Sequence, residues 1–62
     1  MTQFNVVGDP VELKKLLEKL PGVHKVDQWG RNDWNIEVDE EEGEVDRLVD
    51  YCEKNGIECH LV

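Results

Sequence analysis

Two thiols, two imidazoles and one dense run of carboxylates are the groups in this 62-residue chain with the most chemical capacity: Cys52, Cys59, His24, His60 and the acidic residues between 39 and 46. Thiols and imidazoles together could hold zinc, which accepts mixed cysteine and histidine sets. The spacing argues against that chemistry. The two cysteines do not form a Cys-x-x-Cys pair, and the six residues between them hold a helix end and a turn. Each falls on the apolar phase of its own element, so both read as core thiols, poorly ionised and unreactive. A disulfide between them is geometrically conceivable, but a cytoplasmic setting argues against it. His24 opens one expected edge strand and His60 lies on the other. Three strand spacings separate them, ~14 Å, whereas the ligands of one zinc sit within ~2.3 Å of it. Both are expected to be surface histidines. The acidic run also fails as a calcium loop. Gly43 at the sixth position would put Val38 at the first, where an oxygen ligand is required.

Nor do the remaining residues assemble a catalytic set. The chain has no serine, its one threonine is Thr2, and no glycine-rich segment has the spacing of a phosphate loop. Asp27, Glu37 and Glu58 are expected on an open sheet face, where nothing covers them and nothing would shift their pKa strongly. The expectation is therefore a non-enzymatic protein with no metal and no cofactor. Contact with another protein is the function class left open. Trp29 is expected on the open face near an edge, where an exposed aromatic can anchor a partner. Glu40, Glu41, Glu42 and Glu44 would attract a basic one. Aromatics on such a face also bind RNA, but beside basic residues; the neighbours here are Asp27, Asn35 and Glu37.

The net charge of −8 sharpens those exclusions. Residues 1–26 are close to neutral, and the acidic excess sits in the second half. Such a field repels phosphate backbones and anionic membranes, and it favours a soluble monomer. No apolar run is long enough to span a bilayer, and the start has no basic segment followed by an apolar one. A cytoplasmic setting is expected. At this length one domain with a small core is expected.

The elements that position these groups follow from periodicity and turn chemistry. Gln3-Phe4-Asn5-Val6-Val7 alternates and reads as a strand. Asp9 is an N-cap candidate, with Pro10 at the first helical position, where its missing N–H costs nothing. Leu13, Leu16, Leu17 and Leu20 then form one apolar helix face, and Pro21-Gly22 stops the helix. Strands are predicted from about Val23 to Trp29 and from about Trp34 to Asp39. Matching apolar with apolar residues across this hairpin gives a three-residue loop, Arg31-Asn32-Asp33, with Val26 opposite Val38, Gln28 opposite Ile36 and Gly30 opposite Trp34. Asp39-Glu40-Glu41-Glu42 reads as a capping box opening a second helix. Val45, Leu48, Val49 and Cys52 are its apolar face, and Asn55-Gly56 closes it. Ile57, Cys59 and Leu61 alternate in a last strand. The order β-α-β-β-α-β, with right-handed crossovers, is an α+β, ferredoxin-like plait: a four-stranded antiparallel sheet with both helices on one face, first and third strands central.

The segments Phe4-Asn5-Val6-Val7-Gly8, Leu17-Glu18-Lys19-Leu20-Pro21-Gly22-Val23-His24-Lys25-Val26, Ile36-Glu37-Val38 and Tyr51-Cys52-Glu53-Lys54-Asn55-Gly56-Ile57 resemble the small heavy-metal-associated domains of copper and mercury carriers. That family binds soft metals through Met-x-Cys-x-x-Cys between its first strand and first helix. The corresponding place here holds Val7-Gly8-Asp9-Pro10-Val11, without a thiol, so the resemblance implies the fold and carries over no metal-binding residue. Amino-acid-binding regulatory (ACT) domains share the plait and can show an Asp-Pro in this loop, but where they have a glycine after the proline this chain has Val11. Clean helix caps and short connections suit a stand-alone folded scaffold, an engineered miniprotein built on a natural plait. The alternative is a natural acidic protein-interaction module derived from a heavy-metal-associated domain.

Overall fold

The computed structural model describes residues 2–40 and 43–62. Its elements are β1 (Thr2–Val7), α1 (Pro10–Lys19), β2 (Val23–Gly30), β3 (Asp33–Val38), α2 (Glu44–Asn55) and β4 (Glu58–Leu61). The four strands form one antiparallel sheet in the order β2-β3-β1-β4, so β1 and β3 are central and β2 and β4 are edges. This is the ferredoxin-like arrangement expected from the sequence.

Alternation puts the core on one side of that sheet. Phe4 and Val6 of β1 pair with Ile36 and Trp34 of β3, and paired residues share a face. With Val38 they meet Leu13, Leu16 and Leu20 of the first helical segment and Leu48 and Cys52 of α2 in a single apolar cluster, closed by Val23 and Ile57. Both helices therefore cover the same face. α1 starts as its sequence dictates. Asp9 is the N-cap, its Oδ1 accepts from the Val11 N–H at 2.8 Å, and Pro10 occupies the first helical position. α2 ends on Gly56 in the left-handed conformation (φ 68°), whose N–H bonds the Cys52 carbonyl.

Four expectations are corrected. First, the β2–β3 connection is a two-residue turn, Arg31-Asn32, because Gly30 pairs with Asp33. The ladder runs Gln28↔Trp34, Asp27↔Asn35, Lys25↔Ile36 and Val23↔Val38, with irregularities between Gln28 and Gly30 and between Lys25 and Asp27. Trp29 and Val26 are the extra residues of two bulges. Matching apolar pairs assumes an unbroken ladder; the shorter turn shifts the register by one and the two insertions by two more, three in all at Val38. Val26 consequently lies 53% exposed, and Val23 takes its place opposite Val38. Second, α2 begins only at Glu44, with Gly43 at its N-cap position in the left-handed conformation; the Asp39-Glu40-Glu41-Glu42 capping box falls partly outside the described residues. Third, Val49 is exposed, and Tyr51 packs on the core instead. Fourth, Leu61 pairs with Phe4 yet is 70% exposed, because β4 is an edge.

Candidate interaction surface and thiol pair

The face of the sheet opposite the helices is built by the residues that alternate with the core. Asn5, Asn35, Asp27 and His60 form one row across all four strands, since Asn5 pairs with Asn35 and His60, and Asn35 with Asp27. Val7, Asp33, Gly30 and Glu58 form a second row, and Gln3, Glu37 and His24 a third. Its carboxylates are Asp27, Asp33, Glu37 and Glu58. The central amides are tied together. Asn5 Nδ2 donates to Asn35 Oδ1 at 3.0 Å and to Asp33 Oδ1, which lets Asn35 be buried without an orphaned acceptor.

Trp29 stands at the border of this face. It is 64% exposed, and its indole Nε1 donates to Asp27 Oδ2 at 2.9 Å. Asp27 belongs to the open-face row, so the hydrogen bond fixes the ring beside that row. Trp34 is its opposite. It is buried, donates from Nε1 to the Arg31 carbonyl at 3.3 Å, and carries the Lys25 ammonium over its ring at 4.6 Å. Lys25 in turn donates to Gln28 Oε1 at 3.0 Å, so the core ends under a fixed cation.

The acidic residues proposed for partner contact separate in space. Glu40 is exposed and accepts a hydrogen bond from the Thr2 hydroxyl. Glu41 and Glu42 lie outside the described residues. Glu44 points inward, with 5% of its surface exposed. Its Oε2 accepts from the Gly22 N–H at 2.9 Å, and its Oε1 meets Arg47 Nη1 at 2.6 Å. The carbonyl of the same Gly22 accepts from the Asp39 N–H at 2.8 Å. Glu44 thus fastens the start of α2 to the Pro21-Gly22 turn and is not part of an exposed acidic patch. A glycine is needed there because a Cβ would lie 2.5 Å from Glu44 Cγ. Sequence reading saw Pro21-Gly22 only as a helix stop; the close approach to Glu44, 22 residues on, leaves no local signal.

The cysteines come together as sequence reading left open. Cys52 is 2% exposed on α2, and Cys59, opposite Val6 on β4, packs against the same core but is only half-buried. Both are free thiols, and a side-chain interaction between them shifts their ionisation in opposite directions. The side-chain interaction with Cys59, then burial and the neighbouring charge, raise the Cys52 pKa far above a free thiol's. The interaction with Cys52 lowers that of Cys59 against the opposing effect of burial. The expected core placement is thus complete for Cys52 and partial for Cys59. Among the described residues no three His, Cys, Asp or Glu side chains converge as a metal set would, and no helix is long and apolar enough to cross a membrane.

No protein-family model, curated protein or solved structure matches this chain.

Proposed function

We propose that the chain is a non-enzymatic folded scaffold, of the kind an engineered miniprotein on a ferredoxin-like plait would be. The observation that carries this reading is the use made of Asp9. In the loop where the heavy-metal-associated domains that the sequence resembles present thiols, this chain has one carboxylate, and that carboxylate is spent on the Val11 N–H. The same economy holds for Glu44 on Gly22 and for Asn5 on Asn35. Side chains with chemical capacity serve the architecture. The test is thermal. A ligand present at 100 times its dissociation constant would add ~2.7 kcal/mol to stability, so stoichiometric Zn²⁺ under reducing conditions should leave the melting temperature unchanged. A shift that disappears in an Asp9→Ala or Cys59→Ala variant would overturn the reading.

A second reading is favoured by one specific feature, the exposed Trp29 held against Asp27 beside Asp33, Glu37 and the other open-face carboxylates. It makes this face a contact surface for a basic polypeptide segment. In a Trp34→Phe background, Trp29 emission titrated with a Lys/Arg-rich peptide would then change saturably and lose the change in high salt. A flat titration favours the scaffold alone.

A further inference from the structure

We propose that Cys52 and Cys59 form a reversible dithiol–disulfide site, oxidised by low-molecular-weight disulfides through attack from Cys59. The geometry points to it from three sides. Cys52 sits in the last turns of α2 and Cys59 on β4, on opposite sides of the Gly56 turn, and both face the same core cluster. The turn is fixed, because the N–H groups of Gly56 and Ile57 both bond the Cys52 carbonyl, the latter at 2.9 Å. The helix and the strand that carry the two thiols, α2 and β4, pack against each other.

The pair is also asymmetric in the way exchange requires. Cys59 is half-buried and reachable at the edge strand, and Cys52 is sealed. The side-chain interaction with Cys52 favours the thiolate of Cys59, the form that attacks. In the first step the Cys59 thiolate attacks one sulfur of a small disulfide RSSR. A Cys59–SR bond forms, the S–S bond of RSSR breaks, and RS⁻ leaves and takes up the proton lost by Cys59. The principal force holding the Cys52 proton was its interaction with the Cys59 sulfur anion, and that anion is now gone. In the second step Cys52 gives up its proton and its thiolate displaces the second RS⁻ from the Cys59 sulfur. The sum is two protein thiols plus RSSR giving one protein disulfide plus two RSH. The small disulfide is reduced and the cysteine pair oxidised.

The product ties the end of α2 to the edge strand β4 across a closed loop with six residues between its sulfurs' positions. A crosslink restricts the unfolded chain, so the oxidised form should melt at higher temperature than the reduced form.

The experiment treats the full reduced chain with glutathione disulfide and follows intact mass. The wild-type chain should become lighter by two hydrogens, with no glutathione retained and no covalent dimer, and reduction should restore the original mass and melting temperature. Cys52→Ala should stall as a one-to-one mixed disulfide on Cys59. Cys59→Ala should react at least about tenfold more slowly at its sealed Cys52. Cys52→Ser replaces the buried thiol at near-constant volume and serves if the alanine variant does not fold. A wild-type chain that stalls as the mixed disulfide, crosslinks between molecules, or reacts first at Cys52 would overturn the proposal.

Discussion

Replacing Gly22 with alanine places a methyl group where Glu44 now runs. The new Cβ would lie 2.5 Å from Glu44 Cγ, 2.7 Å from Oε2 and 3.0 Å from Cδ. Carbon atoms at rest approach to about 3.5–4.0 Å, so the shortfall is about an ångström and falls on the root of the side chain as well as its tip. Glu44 must take another rotamer and abandon the Gly22 N–H. A hydrogen bond to a charged group contributes about 1.5–3 kcal/mol. Against this, alanine restricts the unfolded chain and returns about 0.4–1 kcal/mol. The net expectation is a loss of about 2 kcal/mol, which in a domain of this size lowers the melting temperature by about 8–16 °C. Urea and thermal unfolding followed by circular dichroism would measure it in the wild type, Gly22→Ala, Glu44→Ala and the double variant. Glu44→Ala alone loses the same hydrogen bond and should cost a similar amount. In its background the three atoms nearest the new methyl group are gone, so adding Gly22→Ala should cost much less than it does in the wild type. If Gly22→Ala costs as much without Glu44 as with it, additive to within about 0.5 kcal/mol, the glycine serves its own backbone and the clasp described here is wrong.

Three further outcomes are expected. Asp9→Ala removes the cap of α1 and should cost about 1 kcal/mol by chemical denaturation, with no gain in metal affinity. Asn5→Ala strips the donor from Asn35 Oδ1 and should cost about 1–3 kcal/mol, because the buried acceptor is left unpaired; an unchanged denaturation midpoint would show that water satisfies it. The two tryptophans should separate by fluorescence, Trp34 emitting to the blue and shielded from acrylamide, Trp29 emitting near the solvent value and quenched, with Trp→Phe variants assigning the signals; equal protection of both would contradict the exposure difference.

The sequence made the order of elements legible because each boundary has a local cause. Asp9-Pro10 starts α1, Asn55-Gly56 ends α2, and the leucine spacing sets the α1 face. What it hid were relations across distance. The hairpin register is not legible in the sequence because bulging at Val26 and Trp29 is decided by how β2 meets β3, and a matching of side-chain types assumes no insertion. Glu44 looked like one more acid in a solvated run, since nothing near it in sequence announces that Gly22 would offer it an N–H. Cys59 falls on the apolar phase of its strand, yet phase does not say that an edge strand leaves one flank open. The same is true of Leu61.

The two bulges of β2 have a consequence for how copies of this molecule could add to one another. Beyond Val23–Lys25, no stretch of that strand keeps in step with its neighbour for more than two residues, so its outer rim offers an incoming strand no regular series of partners. β4 is short but unbroken in its pairing with β1. The sheet thus has one closed border and one open one. Two copies joined through β4 would present only closed borders to the solution, and assembly by strand addition would stop at that pair. A linear polymer needs two compatible ends on every unit, and this unit has one.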